Sequence, residues 1–203
     1  YGKDQPPLNI FRKRPDGTGA EERLTTNPNN QAPSSWSADG RTLVFIENDP
    51  LTGSDIWTID VAGDRTPKAF LKTPFTENYA AVSPDGKWLV YQSNETGRFE
   101  IYATPFPQGG RKWQISTDGG FSPAWAHSGK EVFYQTARGM MAAELSVEPE
   151  FKSGPPRLLF EGRFNGDTNV SPDDQKFLLL KGLPQETSAS QIYIVTSWFD
   201  ELR

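Results

Sequence analysis

The chain has a single histidine, His127, and no cysteine, so its reactive side chains are hydroxyls, carboxylates, amines and one imidazole. A histidine next to a serine nucleophile, with an acid holding its other ring nitrogen, would make an acyl-transfer triad. No Gly-x-Ser-x-Gly elbow accompanies it. Acidic residues recur at Asp39, Asp85 and Asp173, and again at Asp55 and Glu100. General acid–base chemistry needs one convergent pair of carboxylates, whereas recurrence at a fixed spacing points to a shared structural task, turn closure or a loop-to-strand bond. Two oxygen-rich stretches, Asp16-Gly17-Thr18-Gly19-Ala20-Glu21 and Asn165-Gly166-Asp167-Thr168-Asn169, do not match an EF-hand loop and read as turns. There is no Gly-rich phosphate loop with lysine, no His-Arg-Asp and no Asp-Phe-Gly. The absence of cysteine excludes disulfides and thiolate metal sites. The sequence therefore assigns no catalytic, cofactor-binding or metal-ligating residue.

The elements that must position these residues announce themselves by repetition. Trp36-Ser37-Ala38-Asp39-Gly40, Val82-Ser83-Pro84-Asp85-Gly86, Trp125-Ala126-His127-Ser128-Gly129 and Val170-Ser171-Pro172-Asp173-Asp174 follow one another at 46, 43 and 45 residues. A fixed period of this size means stacked supersecondary units. In Ser-Pro-Asp-Gly, proline presets φ, aspartate bonds a nearby N–H and glycine accepts positive φ, so the phrase reverses the chain. His127 stands where the neighbouring copies have Ala38 and Pro84, which makes it a turn residue at the surface. Asp173-Asp174 reads as a degenerate final copy.

After each phrase comes a run rich in β-branched, aromatic and aliphatic residues, at 42–46, 88–92, 131–135 and 176–180, which predicts strands. Loops at 48–53 and 93–97 lead into further strands at 55–60 and 100–104. Short edge strands follow at 68–71, 112–116 and 157–160. No helical periodicity is sustained, and 17 prolines and 18 glycines punctuate the chain too often for long helices. The fold class is all-β: a β-propeller of four-stranded antiparallel blades, with a partial blade at 1–26, whole blades at 27–73, 74–118 and 119–163, and a partial terminal blade at 164–203. Residues 9–14 and 22–26 align with third and fourth blade strands. The expectation is an open arc of a larger propeller, which pairing of residues 9–26 with residues 175–198 would overturn.

The order of hydrophobic residue or Trp, Ser-Pro-Asp-Gly, strand, loop, Asp-Ile-Trp or Glu-Ile-Tyr, strand resembles the TolB-like, WD-repeat-like blades of many bacterial proteins, over residues 27–203. The passage from Gly139-Met140-Met141 through Pro155-Pro156-Arg157-Leu158-Leu159-Phe160, with the closing Ile192-Tyr193-Ile194-Val195, is similar to the C-terminal end of propeller regions attached to bacterial serine/threonine protein kinases. The resemblance implies a non-catalytic sensor or interaction segment in an extracytoplasmic setting. Two alternatives are a gating propeller of a prolyl-oligopeptidase-like hydrolase and a periplasmic TolB-like partner-binding protein.

Composition agrees with a folded binding scaffold. Of 203 residues 35% are hydrophobic and 12% aromatic, enough for a core, and the net charge is −5. The one basic run, Arg12-Lys13-Arg14, lies near Glu21 and Glu22 and reads as a solvated strand, so no nucleic-acid surface is expected. No apolar run is long enough to insert in a membrane as a helix. The Met140-Met141 pair reads as core filler. The expected partner is a protein or small molecule that the sequence does not name, bound without a cofactor.

Overall fold

A computed structural model describes residues 6–146, 150–182 and 191–196. It shows why the repeated phrase reverses the chain. Ser37 Oγ donates to Asp39 Oδ1 at 2.6 Å, the Arg41 N–H donates to the same carboxylate at 3.0 Å, and the Thr42 N–H donates to Ser37 Oγ at 2.9 Å. The Ser83/Asp85 and Ser171/Asp173 turns repeat this pattern bond for bond. Gly40, Gly86 and Gly129 close their turns at φ near +70°.

The reversals produce four-stranded antiparallel sheets. The first has β3 (Asn30–Trp36), β4 (Thr42–Asp49), β5 (Gly53–Asp60) and β6 (Lys68–Leu71) in chain order, preceded by a separate pair, β1 (Phe11–Arg12) and β2 (Glu22–Arg23). The second runs β7 (Glu77–Val82), β8 (Trp88–Ser93), β9 (Glu100–Pro105) and β10 (Trp113–Gln114). In the third, β11 (Phe121–Trp125), β12 (Glu131–Gln135) and β13 (Gly139–Ser146) are joined on the outer edge by β14 (Lys152–Ser153) and β15 (Arg157–Glu161). The last sheet contains β16 (Asn165–Val170), β17 (Lys176–Lys181) and β18 (Gln191–Thr196). There is no helix among the described residues.

Sheets stack because the middle strands are apolar on both faces. Alternate residues of β8 point opposite ways: Leu89 and Tyr91 meet Val44 and Ile56 of the preceding sheet, while Val90 joins Trp125, Val132 and Tyr134 of the following one. Phe133 then packs edge-on against Phe177, ring centroids 4.9 Å apart. Ile10 and Leu24, beside β1 and β2, cover Leu43, Phe45 and Ile59 on the first sheet.

Residues 9–26 form their own sheet and do not pair with the strands of residues 175–196, so the described arc is open. Two expectations change. Residues 165–170 are strand β16 and not a turn, because Asn169 and Val170 pair with Leu178 and Phe177. The strands expected at 9–14, 22–26 and 112–116 each shrink to two residues; Arg12 instead pairs its guanidinium with Glu22 at 2.6 Å, leaving Lys13 and Arg14 outside the strand.

Candidate functional site

The innermost strands β3, β7, β11 and β16 each have one edge toward the axis and no strand paired to it among the described residues. Each also carries a register shift, between Pro33 and Ser35, Asn78 and Ala81, Phe121 and Ala124, and Asn165 and Asn169. Such bulges re-aim side chains, and occur often beside binding sites. Two of them hold non-glycine residues in the left-handed region, Tyr79 at φ +52° and Ser122 at φ +48°. For a bulky residue such as tyrosine this conformation is uncommon and strained.

Bonds between neighbouring inner strands hold the bulges. Ser34 Oγ donates to the Ala80 carbonyl at 2.7 Å, and the Val82 N–H donates to Ser35 Oγ at 3.1 Å. The Trp125 indole N–H reaches the Ala81 carbonyl at 3.0 Å. The strained Ser122 donates its N–H to Gln92 Oε1 at 2.8 Å and its hydroxyl to the Gly166 carbonyl at 2.9 Å. Gln135 Nε2 donates to that carbonyl and to Thr168 Oγ1. Gln92 and Gln135 thus lock the bulge of the next sheet.

Two clefts result. One of about 770 Å³ is walled by Trp36, Tyr79, Trp125, His127, Asn78 and Asp167, among others. Its neighbour, about 610 Å³, is lined by Tyr79, Phe121, Phe164, Gln135, Asn165 and Arg163 and by smaller groups. They share Tyr79 and Ser122, the two strained residues. Both clefts combine aromatic walls with many polar side chains, and concave sites of this size suit ligands.

His127 sits in its turn, at the mouth of the first cleft, and its Nδ1 lies 2.9 Å from Asp174 Oδ1. Asp174 also accepts from the His127 N–H at 2.8 Å and the Ser128 N–H at 3.3 Å. Burial would raise its carboxyl, but these donors outweigh burial and hold it below the usual aspartate value. Asp174 takes φ +58°, where the other three copies have glycine. It is a bracket between adjacent turns, a role hidden while it read as degeneracy. Among the described residues no hydroxyl bonds Nε2 of His127, so the triad geometry is not assembled.

The recurrent acids lie apart from the clefts. Glu100, buried, accepts from Arg98 Nε at 2.7 Å, from the Gly119 N–H at 3.0 Å and from the Ser116 hydroxyl, tying β9 to the linker into the next sheet. Asp55, equally buried, accepts from Thr52 Oγ1 at 2.7 Å and faces Lys72 at 3.6 Å. Nearby Glu77 is 1% exposed and accepts from Thr73 and Ser93. Its burial, and then the charge of Asp55, push its carboxyl above the usual glutamate value. In the Asp16 stretch, Asp16 caps its own turn through Thr18. Met140 is fully buried.

No family model matches the chain, and no curated protein matches its sequence. Solved structures do. TolB from Acinetobacter baumannii superposes with a TM-score of 0.71 at 19% identity, covering 90% of this chain and 44% of that one. The Agrobacterium tumefaciens protein assigned as TolB gives 0.67 at 22%, covering 87% and 62%. The fold is a TolB-like β-propeller. A puromycin hydrolase also superposes, with a TM-score of 0.61 at 17% identity over 87% of this chain and 29% of its own. The chain spans about half the length of the TolB structures it matches.

Proposed function

We propose that the chain is a binding propeller whose axial clefts receive a protein segment or small molecule, as the sensor or interaction region of a larger bacterial protein such as a receptor-type serine/threonine kinase. The observation that carries the binding reading is the convergence of four bulged inner strands on Trp36, Tyr79 and Trp125, with strain stored at Tyr79 and Ser122. A stiff stack of sheets holds these groups, so recognition costs little ordering. The kinase attachment is supported by the resemblance of the closing residues. The likeness to a puromycin hydrolase and to prolyl endopeptidases favours a second reading, a propeller that gates a hydrolase.

Ligand soaking into crystals of the 203-residue chain tests the binding site. Small fragments and short peptides are expected along the axis and to lose affinity on Trp36→Ala; occupancy confined to the outer strands would overturn the assignment. The parent open reading frame separates the two readings. A kinase domain and membrane span upstream supports the first, and a downstream Gly-x-Ser-x-Gly supports the second.

A further inference from the structure

The two clefts differ in charge. The larger is lined by Asp167 and His127 and by no lysine or arginine. The smaller is lined by Arg163 and by no aspartate or glutamate. Arg163 is exposed, and no hydrogen bond or ion pair engages its guanidinium among the described residues. The other polar groups of that lining are largely occupied: Gln92, Ser122 and Gln135 spend their bonds on the bulges. What the cleft offers a ligand is therefore one free planar cation, the side chain of Asn165, the rings of Tyr79, Phe121 and Phe164, and the inner edges of β11 and β16, apart from the Ser122 N–H and the Gly166 carbonyl that the bulge bonds already occupy.

We propose that this cleft binds the free C-terminal carboxylate of an extended peptide whose last side chain is apolar or aromatic. The inference rests on the axial-binding reading above and names its ligand. A guanidinium presents parallel N–H donors that match a carboxylate, so Arg163 fixes the chain end. The aromatic wall takes the last side chain. Unpaired strand edges bond extended backbone by strand addition, which a small organic acid does not use. The rest of the peptide leaves over the Tyr79–Ser122 sill toward Asp167, where a basic side chain or amino group is favoured.

The test screens the 203-residue chain against displayed random peptides of about eight residues with free C-termini, then measures each hit, its C-amidated twin and phenylacetate by fluorescence competition. Amidation and Arg163→Gln are each expected to weaken binding about tenfold to a hundredfold, since a hydrogen bond to a charged group is worth that much. The two losses should not add, because they remove one interaction. Arg163→Lys keeps the charge without the fork and should fall between. Arg163 is exposed and unpaired, so an unchanged Tm for Arg163→Gln is the control for folding. Hits that need Trp36 but ignore amidation overturn the carboxylate site and leave axial binding standing. Hits indifferent to both Trp36→Ala and amidation, or no hits at all, count against both. Phenylacetate binding as tightly as the peptides overturns the peptide assignment.

Discussion

Rim and axis are built from the same repeats in opposite ways. On the rim, three turns share one hydrogen-bond pattern, with matching distances equal to within 0.1 Å. Along the axis, the equivalent positions of the inner strands carry Pro33, Tyr79, Ser122 and Asp167, and the bonds that hold the bulges differ: serines reach the Tyr79 bulge, Gln92 accepts from the Ser122 N–H, and Gln135 donates to the Gly166 carbonyl. A position that repeats is doing a job every blade needs. A position that varies, and stores strain where it varies, is free to serve a ligand. His127 and Asp174 show that variation can also be structural, since together they bracket two turns.

Substitutions at the shared structural positions should cost stability, and those on the axis should cost binding. Glu100→Ala strands the Gly119 N–H, the Ser116 hydroxyl and Arg98, and is expected to destabilise by about 3 kcal/mol in urea unfolding. A loss below about 1 kcal/mol would mean that the recurrent acid is dispensable. Ser171→Ala leaves the Lys176 N–H without its acceptor and should cost about 1 kcal/mol, with ligand affinity unchanged, since Ser171 lines neither cleft. Tyr79→Gly is expected to do the reverse. Relief of the left-handed strain raises the unfolding free energy measured in urea by up to about 1 kcal/mol, while affinity for any axial ligand falls. A Tyr79→Gly chain that is less stable and binds normally would erase the contrast between the two regions.

Two carboxylates sharpen it through pH. Glu77 has a raised folded pKa, so its contribution is complete below its unfolded value and is lost as pH rises through the folded one. The Tm advantage of Glu77→Gln over wild type should therefore grow between pH 4 and pH 8; an advantage that shrinks reverses the assignment. Asp174 has a lowered folded pKa, so its contribution is present above its unfolded value and is lost as pH falls through the folded one. Asp174→Asn should reduce Tm slightly at pH 7 and leave it unchanged near pH 2. This is the smallest effect, because the pair is partly exposed.

The sheets were legible in the sequence because turn chemistry and alternating apolar residues act locally: β6 and β12 have the bounds their residue types predict. The axis was not. A left-handed tyrosine or serine carries no marker in its own sequence, since it is Ser35 and Gln92, from neighbouring sheets, that hold the bulges of Tyr79 and Ser122. Residues 165–169 look like a turn for the same reason: their glycine and polar side chains serve a bulged strand whose partner is β17. Arg163, flanked by Gly162 and Phe164, gave no signal until its surroundings were known.

The face of the middle strand that meets the next sheet is fully buried at Val44 and Val90, and 1% exposed at Phe133, yet on β17 the matching Leu178 and Leu180 are 46% and 48% exposed. Every sheet thus has a leading face and a trailing face of the same kind, and nothing in the pattern itself says when to stop. Another sheet of this kind laid on β17 would bury Leu178 and Leu180 and leave the contacts of the preceding sheets in place, since each sheet of the arc touches only its neighbours.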